Sequence, residues 1–112
     1  MGLGGSESGV EKACAMTVRI LDSALKDLER GRKFYERQGE GLGAYFLNSL
    51  FSEIDSLVLF GGIHRKVFGY HRLLAKRFPY AVYYKVEEER VVVVWRVLDL
   101  RQAPSRIRRA LE

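Results

Sequence analysis

The chain has 112 residues and 47% hydrophobic content, enough for one modest core and no second large domain. Its single cysteine, Cys14, excludes an intrachain disulfide and fits a reducing cytoplasm, and no apolar run reaches the roughly 18 residues of a membrane helix. The net charge of +5 is unevenly spread: residues 1–55 hold seven Lys/Arg against nine Asp/Glu, and residues 56–112 hold twelve against five.

Residues 1–15 are rich in Gly and Ser and have no periodicity. They predict a disordered tail, with a tethering arm as the functional alternative, and lack the charged start and apolar block of a secretory signal. A single domain is expected over residues 16–112. Residues 16–21 alternate β-branched side chains and predict a strand. Asp22 or Ser23 can then cap a helix running to about Gln38, with Leu21, Leu25, Leu28 and Tyr35 on one stripe. Gly31 weakens that helix by about 1 kcal/mol relative to Ala. A tight turn at residues 39–41 leads to a second helix over about 42–60. Leu42, Phe46, Leu50, Ile54 and Leu57 form its apolar stripe, and the short connection predicts an antiparallel helical hairpin.

Gly61-Gly62 ends the second helix. Strands are expected at residues 64–68, 70–78, 80–86 and 90–98, with Glu87-Glu88-Glu89 as the last turn. The run Val91 to Leu98 is apolar on both faces, as in a central strand under a layer of helix. Pro104 suits the first turn of a short basic helix reaching Leu111. The fold class is therefore α+β: a mainly antiparallel sheet of four or five strands on a helical hairpin, with a short C-terminal helix.

From Ser56 to Val86 there is no Asp or Glu. That window holds Arg65, Lys66, Arg72, Lys76, Arg77, Lys85 and both histidines. So many unpaired cations point to a polyanion or an acidic protein as partner. Arginine forks fit phosphate oxygens, so Arg65, Lys66, Lys76, Arg77 and Arg101 are candidate phosphate contacts. Arg96 interrupts an apolar strand. It either pairs with a carboxylate such as Asp99 or Asp55, or opens onto a binding face, because a buried unpaired guanidinium is costly. His71 can serve as a general acid or base or be a plain strand-surface histidine. The interleaved Tyr and Phe residues can stack bases or simply pack the sheet. No P-loop, GxGxxG or Ser/His/Asp pattern is present. Two histidines and a distant Cys14 do not make a metal site, and no cofactor is expected.

Several short motifs occur in one order: Phe34-Tyr35-Glu36 with Gly41-Leu42-Gly43 and Phe46; Gly69-Tyr70-His71-Arg72; Arg77-Phe78-Pro79-Tyr80 with Tyr83-Tyr84; and Val97-Leu98-Asp99 followed by Arg101 and Pro104. Over residues 16–105 this pattern resembles the RelE/ParE superfamily of bacterial type II toxins, particularly members described as plasmid stabilisation proteins. The resemblance implies a growth-inhibiting toxin neutralised by a cognate antitoxin, in a hetero-oligomer. It leaves the target open between two branches. RelE-like members are metal-independent endoribonucleases that cut mRNA on translating ribosomes; ParE-like members poison DNA gyrase without hydrolysis. A non-toxic nucleic-acid-binding module of the same fold is a third reading. Arg72 and Arg96 match positions where RelE-like proteins place basic side chains, and with His71 they are the catalytic candidates of that branch. Two departures weigh against it. No tyrosine follows Tyr84, and Asp99 stands where many relatives carry His.

Overall fold

The computed structural model describes residues 15–88 and 90–112. The expected tail, apart from Ala15, and Glu89 of the expected turn lie outside the described residues. The elements are β1 (Thr17–Ile20), α1 (Asp22–Gln38), α2 (Leu42–Asp55), α3 (Leu57–Phe60), β2 (Lys66–Val67), β3 (Tyr70–Leu74), β4 (Tyr80–Glu87), β5 (Val91–Asp99) and α4 (Pro104–Leu111). The strands form one sheet in the order β1-β5-β4-β3-β2. β1 runs parallel to β5, and every other pairing is antiparallel. The architecture is α+β, as the pattern predicts. β4 takes the central place, and β5 lies one strand in from the edge.

The helical hairpin covers one face of the sheet. Phe46, Leu50, Ile54 and Leu57 are fully or almost fully buried there against Val82, Tyr84, Val92 and Val94. On α1 the buried stripe is Ala24, Asp27, Leu28 and Gly31. Leu25, expected on it, is 43% exposed. Neither Asp22 nor Ser23 caps α1, whose N-cap is Leu21 without a side-chain bond. The Ser23 hydroxyl donates instead to the Trp95 carbonyl, 2.8 Å away. The far end of α1 carries a different cap. The Glu36 carboxylate accepts from the backbone N–H of Gly41 (3.2 Å) and Gly43 (2.9 Å), satisfying the start of α2. These bonds hold the Glu36 pKa below the usual carboxylate range. Gly41 has φ +85, which suits glycine in so tight a turn.

Local backbone chemistry shortens several expected elements. The second helix breaks at Ser56, whose hydroxyl turns back to the Glu53 carbonyl at 2.6 Å. Phe68 and Gly69 both have positive φ, making a tight turn that cuts the strand expected at 64–68 to two residues. β3 stops at Leu74 because the chain turns through Ala75 to Pro79, closed by Ala75 N–H to the Tyr80 carbonyl at 2.9 Å. Tyr83 and Tyr84, as successive strand residues, face opposite sides of the sheet, and the register shift between them leaves Trp95 of β5 as the extra residue of a bulge. Tyr84 joins the hairpin core, and Tyr83 joins a smaller cluster with Tyr70, Ala81, Leu98, Ile107 and Leu111 under α4.

Candidate functional site

β1 ends at Ile20, so β5 would have a bare edge beyond Val94. Helix α1 takes over there. Ser23 accommodates the Trp95 carbonyl, and Asp27 accepts from the Val97 N–H at 3.0 Å. A carboxylate is thus drawn into the buried stripe of a helix because strand backbone needs it. Arg96 completes the arrangement. Its Nε lies 2.7 Å from Asp27 Oδ2 and its Nη2 2.8 Å from Oδ1, while Nη1 donates to the Ala110 carbonyl at 3.0 Å. Arg96 therefore pairs with Asp27, not with Asp99 or Asp55. This bidentate bond holds the Arg96 pKa above its ordinary value. The readable signal for Asp27 is its spacing: it falls between Ala24, Leu28 and Gly31 on the helix stripe.

A cavity of about 340 Å³ lies beside this ion pair, with Phe34, Tyr80, Asp99 and Gln102 in its wall. Burial, with help from the Asp99 charge, pushes the Tyr80 phenol up to about 12. Asp99 takes the Arg101 guanidinium on both oxygens, at 2.7 Å from Nη2 to Oδ2 and 3.0 Å from Nε to Oδ1. Burial works against the Asp99 charge, but Arg101 outweighs it and keeps this carboxyl below the usual range.

The structure does not gather the three catalytic candidates. His71 and Arg72 are successive residues of β3 and point to opposite faces. His71 stacks on Tyr84 on the hairpin face, ring centroids 5.0 Å apart, and its Nδ1–H donates to the His64 carbonyl at 2.6 Å. Arg72 is in register with Tyr83, and Tyr83 with Arg96, so a tyrosine separates the two arginines across the other face. Burial raises the Tyr83 pKa, and the adjacent Arg72 partly offsets it.

Of the other candidates, Arg65 and Lys66 are exposed at β2, and Lys76 and Arg77 are exposed in the turn before β4. None of these four, nor Arg72 or Lys85, forms an ion pair with a described residue. Arg101 does, and it also lies over the Phe34 ring at 5.4 Å. The sequence reading missed an apolar surface beside the cations: Leu59 is 69% exposed and Ile63 72%, with Phe60 half exposed between them. Among the described residues no group of His, Cys, Asp and Glu can hold a metal, and no helix is long and apolar enough to cross a membrane.

The family model of the ParE toxin of the type II toxin-antitoxin system, parDE, matches residues 18–104. The chain belongs to the ParE toxin family. A chain of the chromosomal ParDE TA system from P. aeruginosa has the same fold, with a TM-score of 0.67 and 19% identity over 77% of this chain and 97% of that one. A search of curated proteins finds no match. Within the ParE family match lie the hairpin, the Asp27–Arg96 pair and the sheet except Thr17, while most of α4 falls beyond it.

Proposed function

We propose that this chain is the toxin of a type II pair, and that it arrests growth by holding a protein target, DNA gyrase, without cutting RNA. The observation that carries this reading is the state of Arg96. Stabilising a phosphate during 2′-OH attack needs cations preorganised on the oxygens where charge develops. Arg96 already has its charge matched by a buried carboxylate and a third nitrogen on a helix carbonyl. Asp99 occupies Arg101 in the same way. His71 and Arg72 lie on opposite sides of the sheet, so no general acid or base stands beside a free arginine in the proposed RelE-like trio. What remains free is a surface of unpaired cations and exposed apolar side chains, which suits protein partners. One such partner is the cognate antitoxin, whose acidic segment orders on binding and covers those cations.

The test pairs two assays on the purified toxin: gyrase supercoiling, and translation-dependent mRNA cleavage. Inhibited supercoiling with intact mRNA is the expected result, reversed by the product of the neighbouring gene. Cleaved mRNA with normal supercoiling overturns the reading in favour of the RelE-like branch, with Arg72 and His71 the first residues to substitute. A chain that is harmless when expressed and ignores its neighbour's product leaves only the plain nucleic-acid-binding module.

A further inference from the structure

The two faces of the sheet differ in charge. The helical hairpin lies on one, and residues 22–55, which build it, hold five Lys/Arg against seven Asp/Glu. The other face carries Arg19, Arg72 and Lys85, with the arginines of α4 above it. We propose that this second face binds the phosphate backbone of duplex DNA. The face stands on its own geometry; the choice of DNA over RNA rests on the gyrase reading.

Strand alternation puts the cations there. Val18 and Ile20 of β1 and Leu73 of β3 pack towards the hairpin core, so Arg19 and Arg72 point the other way. Lys85 holds its ammonium over Tyr70 at 4.7 Å and Trp95 at 5.4 Å, and Tyr70 belongs to the cluster under α4. Arg19 and Lys85 flank Val93 in register across β1, β5 and β4, two strand spacings or about 10 Å apart. Ile107 and Leu111 pin α4 to the same face, which leaves Arg106, Arg108 and Arg109 exposed. None of these six cations forms an ion pair with a described residue. Among the described strand residues, Glu87 at the end of β4 is the only carboxylate on this face.

Cations set this far apart do not converge on one small anion, but they match a repeating one. The side chains around them decide which polyanion. Single strands are held by bases that stack on exposed aromatics. Here Tyr70 and Tyr83 are buried, and the Trp95 ring already carries Lys85. An acidic peptide needs apolar anchors in desolvated pockets. Leu98, Ile107 and Leu111 are closed under α4, and the exposed Leu59, Phe60 and Ile63 belong to α3 and the loop after it, on the hairpin side. A face of cations with neither stacking platforms nor apolar anchors suits a duplex, whose phosphates are open to it at any sequence.

The experiment titrates a short labelled DNA duplex with the full chain across a salt series, read by fluorescence anisotropy, and maps the amide chemical shifts of the complex. Sequence-independent binding is expected, with log K falling by roughly 0.9 per decade of salt for each phosphate contacted. The shifts should centre on Arg19, Arg72, Lys85 and residues 106–109. Arg19→Gln/Arg109→Gln should lower the salt slope by about 2. Lys26→Gln/Lys33→Gln on α1 removes the same charge from the hairpin side and should leave the slope unchanged. An equal fall in both double variants would show net charge alone at work and overturn the proposal. So would tighter binding to the single strand or to an RNA duplex, displacement of the DNA by an equal charge of poly-glutamate, or no binding. Gyrase takes no part, so the two readings fail separately: supercoiling inhibited without duplex binding overturns the face, and duplex binding with normal supercoiling overturns the target alone. The wild-type shift map decides even if a variant fails to fold.

Discussion

Asp27 and Arg96 stand 69 residues apart in sequence and close a two-pronged ion pair at the edge of β5. The pair is lopsided: the Asp27 side chain is 3% exposed and that of Arg96 24%. The carboxylate also serves the Val97 N–H, and the guanidinium reaches α4 through Ala110. One bond system thus ties the first helix, a sheet edge and the last helix together.

Asp27→Ala should therefore be destabilising out of proportion to its size. It strands a partly buried guanidinium and a buried backbone N–H. Breaking such a pair costs about 3–5 kcal/mol when both partners are buried. The partial exposure of Arg96 places the expectation near the lower end. Urea denaturation measures it, and a loss below about 0.5 kcal/mol, an ordinary surface value, would show the pair to be dispensable.

Gly31→Ala tests packing against propensity. Alanine improves an isolated helix by about 1 kcal/mol at such a position. Here the new Cβ would stand 2.5 Å from Phe46 Cζ and 2.6 Å from Cε2, with the Tyr80 hydroxyl at 3.3 Å. Phe46 is fully buried and stacks on Tyr35, so its ring has little room to retreat. The net expectation is a loss of about 1–3 kcal/mol from overpacking. A variant that unfolds at higher urea than wild type would mean that Phe46 relaxes freely.

These two residues also mark what the sequence could and could not reveal. The hairpin was legible because its information is local: Phe46, Leu50, Ile54 and Leu57 repeat at helical spacing, and all four are buried. The unpaired cations were legible because an acid-free window is a composition fact. Arg96 was legible as an anomaly, but its partner was not, since Asp27 is chosen by where β1 stops and α1 begins. Strand ends at Phe68-Gly69 and Leu74 depended on backbone dihedrals that apolar alternation does not encode. The site suffered most. Whether an arginine is free or spent on a carboxylate is decided by tertiary contacts, and that distinction separates Arg72 from Arg96 and Arg101.

His64 should give the stability a slope just below neutral pH. Its Nδ1 accepts from the Tyr84 hydroxyl, which also accepts from the Gly62 N–H. Burial lowers the His64 pKa, the nearby His71 lowers it further, and Glu53 pulls weakly the other way. The unfolded chain then binds a proton at pH values where folded His64 stays neutral. Stability is thus fully present above the ordinary histidine value of about 6.5 and is lost as pH falls towards the lower folded value. His64→Gln should flatten the decline in urea midpoint between about pH 7 and 5.5. Identical pH slopes for the two proteins would remove His64 as the cause.

The unpaired cations of the β3–β4 turn should govern how fast the antitoxin finds this surface. Lys76 and Arg77 are exposed, their side chains form no ion pair with a described residue although the Lys76 backbone N–H donates to the Glu53 carboxylate at 2.9 Å, and they sit beside the half-buried Phe78. Charges at the rim of an interface act mainly on the encounter, whereas buried anchors act on dissociation. A Lys76→Gln/Arg77→Gln double variant should fold normally, because neither side chain is packed. Its association with the antitoxin should slow by roughly tenfold at low salt, the lower end of electrostatic steering, with dissociation little changed. Raising the salt to about 1 M shortens the screening length to about 3 Å, and the two association rates should then converge. Stopped-flow or surface-based kinetics across a salt series read both rates. A difference that persists at high salt, or one that resides in dissociation, would place these side chains inside the interface and not at its rim.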